Sequence, residues 1–184
     1  MTSTRLSREA LLPKLAAHVL ANGLADASLR PLARAAGTSD RMLIYHFGSK
    51  ERLVEEMLDY LAGQFSAALD QTFPADRSAS RQECIDQVIT ITGAATFQPF
   101  MRVWWDIVAG CAAGNTAYLC AAKAIMDRLL QWVVDHLPAD DPDPQGAARM
   151  ALTYIEGAQM LRAVGRGDIP AQGLASLAGA PHPS

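Results

Sequence analysis

SLRPLARAAGTSDRMLIYHFGSK, residues 28–50, decides the fold. It reads as two short helices bent around Gly37 and followed by the start of a third. Ser28 is placed to cap the first helix, Leu29, Leu32, Ala33 and Ala36 give it an apolar side, and Gly37 supplies the left-handed backbone that ends it. Ser39 caps the second helix. In a helix-turn-helix, a short turn holds the second helix at a steep angle to the first and frees its leading residues to enter the major groove of DNA. Those residues are Asp40, Arg41 and Met42. Arg41 and Arg30, by chain position and guanidinium geometry, are the expected base contacts.

Tyr45-His46-Phe47-Gly48-Ser49-Lys50 closes the unit, with Phe47 suited to the core and Tyr45 and His46 offering hydrogen-bond donors to the DNA backbone. Ser49 caps the next helix, whose free backbone N–H groups and partial positive charge, joined by the Lys50 ammonium, suit a phosphate. Tyr45 or His46 alone is equally compatible with packing. The linked sequence of cap, turn, second helix and basic cap is what points to DNA.

This segment resembles the N-terminal DNA-binding domain of the TetR family, the tetracycline-repressor-like transcriptional regulators, over residues 7–61. In that family a helix ending in Gly precedes the helix-turn-helix, as Val19-Leu20-Ala21-Asn22-Gly23 does here, and the recognition helix ends in a pattern like Leu43-Ile44-Tyr45-His46-Phe47-Gly48-Ser49-Lys50. Ile44 departs from it, standing where the family usually places a phosphate-contacting Tyr, with Tyr45 beside it. Pro31 is tolerated in a first helical turn. Pro13 is expected to kink the first helix or delay its start.

Composition fits a soluble regulator with one DNA-binding unit and one larger domain: 184 residues, 50% hydrophobic and 19% charged, with no apolar run of membrane-spanning length. The N-terminus lacks the hydrophobic region of a signal peptide, so the cytoplasm is the expected location. The formal net charge of -3 divides unevenly. Residues 1–50 carry seven Lys and Arg against three acids, or +4, which leaves -7 for the remainder. A positive head on an acidic body orients the molecule towards DNA. Cys84, Cys111 and Cys120 and the scattered histidines show no metal-ligand spacing and read as small buried hydrophobes and isolated imidazoles, so no metal or cofactor is expected. The acidic Asp140-Asp141-Pro142-Asp143-Pro144 lacks the Gly and terminal Glu of a calcium loop and reads as a solvated turn.

Beyond Lys50 the pattern is helical throughout, which makes the fold all-α: a three-helix head in residues 1–50, a joining helix over 49–72, and a helical ligand-binding and dimerisation domain in residues 51–178. The tail, residues 179–184, is expected to be disordered. Leu53, Met57, Leu61, Phe65 and Leu69 recur every fourth residue along the joining helix, and further helices are expected over about 79–94, 97–113, 115–137 and 143–165. In the helix over 97–113, Gln98, Arg102 and Asp106 form a narrow polar stripe on an otherwise apolar surface, so the helix is expected to be walled by neighbours on most sides. Phe97, Met101, Trp104 and Val108, with Phe100 and Trp105 close by, could line a pocket for an apolar or aromatic molecule, with Arg102, Asp106 or Tyr154 as polar contacts. Ordinary core packing uses the same residue types, and Arg102 with Asp106 could be an ion pair along one helix.

The helix over 143–165 carries Ala147, Ala151, Tyr154, Ala158 and Leu161 along one side and Leu152, Ile155 and Gln159 on an adjacent one, which calls for two partners. TetR-like regulators dimerise through their last two helices. The resemblance therefore implies a homodimer held by about 143–178, bound to operator DNA and in most cases a repressor released by a small molecule. A DNA-binding regulator without an effector, or a helical-bundle enzyme fused to a DNA reader, are the alternatives. Against an enzyme, the chain has no nucleophile motif, no Gly-rich phosphate loop and no cluster of His and carboxylates.

Overall fold

Three of the four helix starts in the first third of the chain are capped by a serine that stands next to them. Ser7 accepts from the Ala10 amide and opens α1 (Arg8–Asn22), Ser39 accepts from the Met42 amide and opens α3 (Asp40–Phe47), and Ser49 accepts from the Arg52 amide at the head of α4 (Lys50–Thr72). Such a cap contributes about 1 kcal/mol. Ser28 stands in the cap position of α2 (Leu29–Ala36) with extended backbone, but its hydroxyl makes no capping bond. Gly37, at φ +70° and ψ +37°, ends α2 in the left-handed region, and the Thr38 amide reaches back to the Ala33 carbonyl.

The computed structural model describes residues 7–25, 27–74 and 76–178, without the side chains of 174–178, so the expectation for the tail lies outside the described residues. After α4 come α5 (Arg81–Thr92), a single 3-10 turn (Ala95–Phe97), α6 (Gln98–Ala112), α7 (Thr116–His136), α8 (Pro144–Ala163) and α9 (Asp168–Ala178). Among the described residues there is no strand. α1 runs unbroken through Pro13 from its cap at Ser7, so its start is not delayed; Pro13 is exposed, where water can meet the carbonyl its missing N–H leaves free.

Packing divides the chain into two units, Met1–Ala68 with Thr96–Met126, and Leu69–Ala95 with Asp127–Ser184. The division does not fall at residue 50: the greater part of α4, all of α6 and the start of α7 pack with the three-helix head. One core joins Leu11, Leu15 and Val19 of α1, Leu32 of α2, Leu43 and Phe47 of α3, Leu53 and Met57 of α4, and Val103 and Ile107 of α6. The buried line of α6 is thus Met101, Val103 and Ile107. Val108, expected to lie inward, is 40% exposed, and Ala109 is exposed too, so α6 is not enclosed on every side.

In the second unit α5 packs on α8, whose buried residues include Ala147, Ala148, Ala151 and Ala158. Gln159 donates to the Thr92 hydroxyl, which itself donates to the Val88 carbonyl. Phe73 meets Trp132 edge-on, and the Trp132 ring stacks on His136 with centroids 3.8 Å apart. The acidic turn before α8 is not simply solvated. Both Arg81 donors lie 2.6 Å from the Asp141 carboxylate, whose side chain is only 3% exposed, and the guanidinium holds that carboxyl below the usual range. Asp143 caps α8 through the Gly146 amide. Of the three cysteines only Cys84 is buried, and burial pushes its thiol up; Cys111 is half-buried and Cys120 exposed.

Candidate nucleic-acid interface

Leu43 and Phe47 are wholly buried and fix the inner face of α3, so the opposite face is presented outward by geometry alone. Arg41 is exposed, Met42 is 38% exposed and Tyr45 is 77% exposed. Three side chains able to reach a groove thus stand together on a capped helix. Arg30, at the start of α2, lies 4.0 Å from Asp40, with 89% of its side chain exposed, so Asp40 faces the guanidinium as well as solvent. His46 is half-buried, its Nε2 enclosed without a hydrogen-bond partner and its ring set edge-on to Tyr45.

Ser39 serves the interface as a cap, and Lys50 is exposed at the first position of α4. Beside Lys50, Glu51 is held ionised by the amide at the helix start and by the Ser49 hydroxyl, both of which lower its carboxyl. Ser28, Lys50 and Glu51 line one polar cleft of about 270 Å³ with Asn115, Thr116 and Tyr118.

Two cations of the basic head are engaged inside it. Arg8 donates to the His46 carbonyl at the end of α3, pairs with Glu56 at 3.3 Å and lies over the Phe47 ring. Lys14 Nζ lies 3.4 Å from the Ala36 carbonyl at the end of α2. Each cation meets the negative end of a helix, which stabilises by about 0.3–1 kcal/mol. No local pattern announces these contacts, because the partners lie 38 and 22 residues away in the chain.

The aromatic candidates separate. Phe97 and Phe100 gather around Phe65, with centroids 5.6 and 5.7 Å from it, and Met101 is buried. Trp104 is half-buried against the core of the first unit, and Trp105 is half-buried. Arg102 points elsewhere: it donates to the carbonyls of Leu20 and Ala21, while Asp106 accepts from the Leu24 amide at 2.8 Å. Tyr154 belongs to the second unit, where its hydroxyl donates to the Pro170 carbonyl at 2.6 Å.

Tyr154 also lines an open apolar groove of about 680 Å³ between α8 and α9, with Met150, Thr153, Gly157, Leu161 and Ile169. Met150 is 45% exposed and Ile169 42% exposed. Ala151 and Ala158, on the side of α8 expected to meet a second subunit, are buried within their own chain, at 0% and 2% exposure. Alanines fit a close helix pair inside a subunit as well as between subunits, which is why the pattern misleads.

The arrangement is that of a helix-turn-helix whose second helix is capped at Ser39, anchored by Leu43 and Phe47 and exposed on its other face. Residues 14–57 match the family of bacterial regulatory proteins, tetR family, a stretch that takes in most of α1, all of α2 and α3 and the first turns of α4. The fold of the whole chain is shared with a transcriptional regulator, SCO7518, from Streptomyces coelicolor A3(2), at 23% identity and a TM-score of 0.70 over 94% of this chain and 98% of that one. A TetR-family transcriptional regulator from Rhodococcus sp. aligns at 18% identity and 0.67 over 92% and 95%. The multidrug binding protein EbrR, in complex with imidazole, aligns at 15% identity and 0.65 over 96% and 92%. No curated protein sequence matches the chain.

Proposed function

We propose that the protein is a dimeric, cytoplasmic, sequence-specific DNA-binding regulator, a repressor whose hold on a two-fold operator weakens when a small apolar or aromatic molecule binds. The observation that carries the reading is the outward face of α3, with Arg41, Met42 and Tyr45 exposed on a helix whose other face is wholly buried. Arg30 and Arg41 read bases, Tyr45, His46 and Lys50 meet the backbone, Ser28, Ser39 and Asp40 shape the approach, and no catalytic step is involved.

Selection from random duplexes should enrich a palindrome with half-sites at least one helical turn apart, roughly 34 Å. Arg41→Ala should lose about 1–3 kcal/mol and relax preference at one base position. A selection that enriches nothing overturns the reading.

The dimer is supported by the apolar groove between α8 and α9, left open in a single chain. Gly157→Glu is its test, since Gly157 lines the groove and a Cβ added there meets nothing within 4 Å in the protomer. It should split the dimer seen by light scattering without unfolding the chain. Ligand control is supported by the Phe65, Phe97 and Phe100 cluster and by the fold shared with a multidrug binding protein. A thermal-shift screen of small aromatic compounds should find ligands that lower operator affinity, and Trp104→Ala should weaken them while sparing ligand-free DNA binding.

A further inference from the structure

The polar stripe of α6 is aimed at the end of α1, in the same packed unit. Arg102 Nη2 donates to the carbonyl oxygens of Leu20 and Ala21, in the last turn of α1, and one helical turn along, Asp106 Oδ2 accepts from the Leu24 amide just past that end. The charges are matched to the backbone in both places. A cation meets carbonyls at the negative end of a helix, and a carboxylate meets an N–H beyond it. Gly23 lies between them at φ +82°, and a Cβ there would stand 3.1 Å from the Asp106 carboxylate, so the approach depends on a residue without a side chain. Val103 and Ile107 of α6 enter the core beside α1, which fixes the helix behind the two polar groups.

We propose that Arg102 and Asp106 are positioning residues for DNA reading: they clip α6 to the junction of α1 and α2 and so fix the attitude of the reading head. The route onward is short. α1 holds α2 through Lys14 on the Ala36 carbonyl and α3 through Arg8 on the His46 carbonyl. A head gripped at α1 cannot turn against α6 without breaking charge-assisted hydrogen bonds, which are about twice as strong as neutral ones. The proposal rests on the two-fold operator reading above. Under it, the clip sets which separation of half-sites fits, while the side chains of α3 set which bases fit.

The experiment separates these two properties. The full-length protein selects its half-site from random duplexes, and a second pool then varies the spacer between two copies of that half-site one base pair at a time. Wild type should favour one spacing. Arg102→Ala, an exposed position, and Asp106→Ala should keep the same bases within each half-site but lower the preference for the best spacing over its neighbours by at least about fivefold. Arg102→Lys, which keeps a cation at the helix end, should restore most of it. A wild-type chain that enriches no half-site overturns the operator reading and this proposal with it. A sharp wild-type spacing that both alanine variants retain overturns the clip alone. So does a loss of base preference and spacing together, in step with the unfolded fraction seen by circular dichroism, because that marks a merely structural role.

Discussion

The core of the first unit is built from large apolar side chains, Leu11, Leu15, Leu32, Leu43, Phe47 and Met57, whereas the buried side of α8 in the second unit is mostly alanine, Ala147, Ala148, Ala151 and Ala158. The buried polar side chains among the described residues, Ser78, Thr92 and Gln159, all lie in the second unit. Large interlocking hydrophobes give a dry core with one packing solution, and its rigidity holds the face of α3 still. Alanine contacts contribute less per residue, and the directional bonds of Thr92 and Gln159 then fix how α5 and α8 align. One unit is organised to present a surface, the other to hold a particular pairing of helices.

Removing a large side chain should therefore be most damaging in the first unit. Phe47→Ala should lower stability by about 3–5 kcal/mol, read from urea unfolding, because the ring is wholly buried and Arg8 packs over it. The second unit should instead be sensitive to added volume. Ala151→Leu should destabilise by about 1–3 kcal/mol, and a neutral result would show that α8 has room around its buried alanines. Gly37→Ala should be destabilising by about 1 kcal/mol through backbone conformation alone, since φ is +70° and nothing lies within 4 Å of the added methyl. The last effect is pH-dependent. Arg81 lowers the Asp141 carboxyl in the folded chain, so its stabilisation is present above the unfolded carboxylate pKa, about 4, and is lost as pH falls through the lower folded value. Asp141→Asn should be less stable than wild type at neutral pH and converge with it in an acid titration.

What was legible in the sequence is what lies within one helical turn. The caps at Ser39 and Ser49 and the left-handed Gly37 each need a partner three or four residues away, and all were readable. The helix bounds were readable to within a few residues because apolar spacing is a local property. The inner face of α6 was not: so many of its positions are apolar that the burial of Val103 and Ile107, rather than Val108, follows from neighbours distant in the chain. The same holds for Arg102, whose spacing from Asp106 fitted an ion pair or a ligand contact equally well and whose acceptors lie 81 and 82 residues away. Asp141 read as solvated because Arg81, 60 residues earlier, leaves no local trace.

The engagement of Arg8 and Lys14 with helix ends changes what the head's charge means in solution. Binding to duplex DNA releases cations condensed on the phosphates, and the logarithm of affinity falls with the logarithm of salt concentration by about 0.9 for each phosphate neutralised. A side chain already committed to a carbonyl oxygen does not displace a sodium ion. Counting every Lys and Arg of residues 1–50 as a phosphate contact would therefore overstate the slope per head by about 2, since two of the seven are held internally. DNA binding by such a head should survive a rise in ionic strength better than its composition implies.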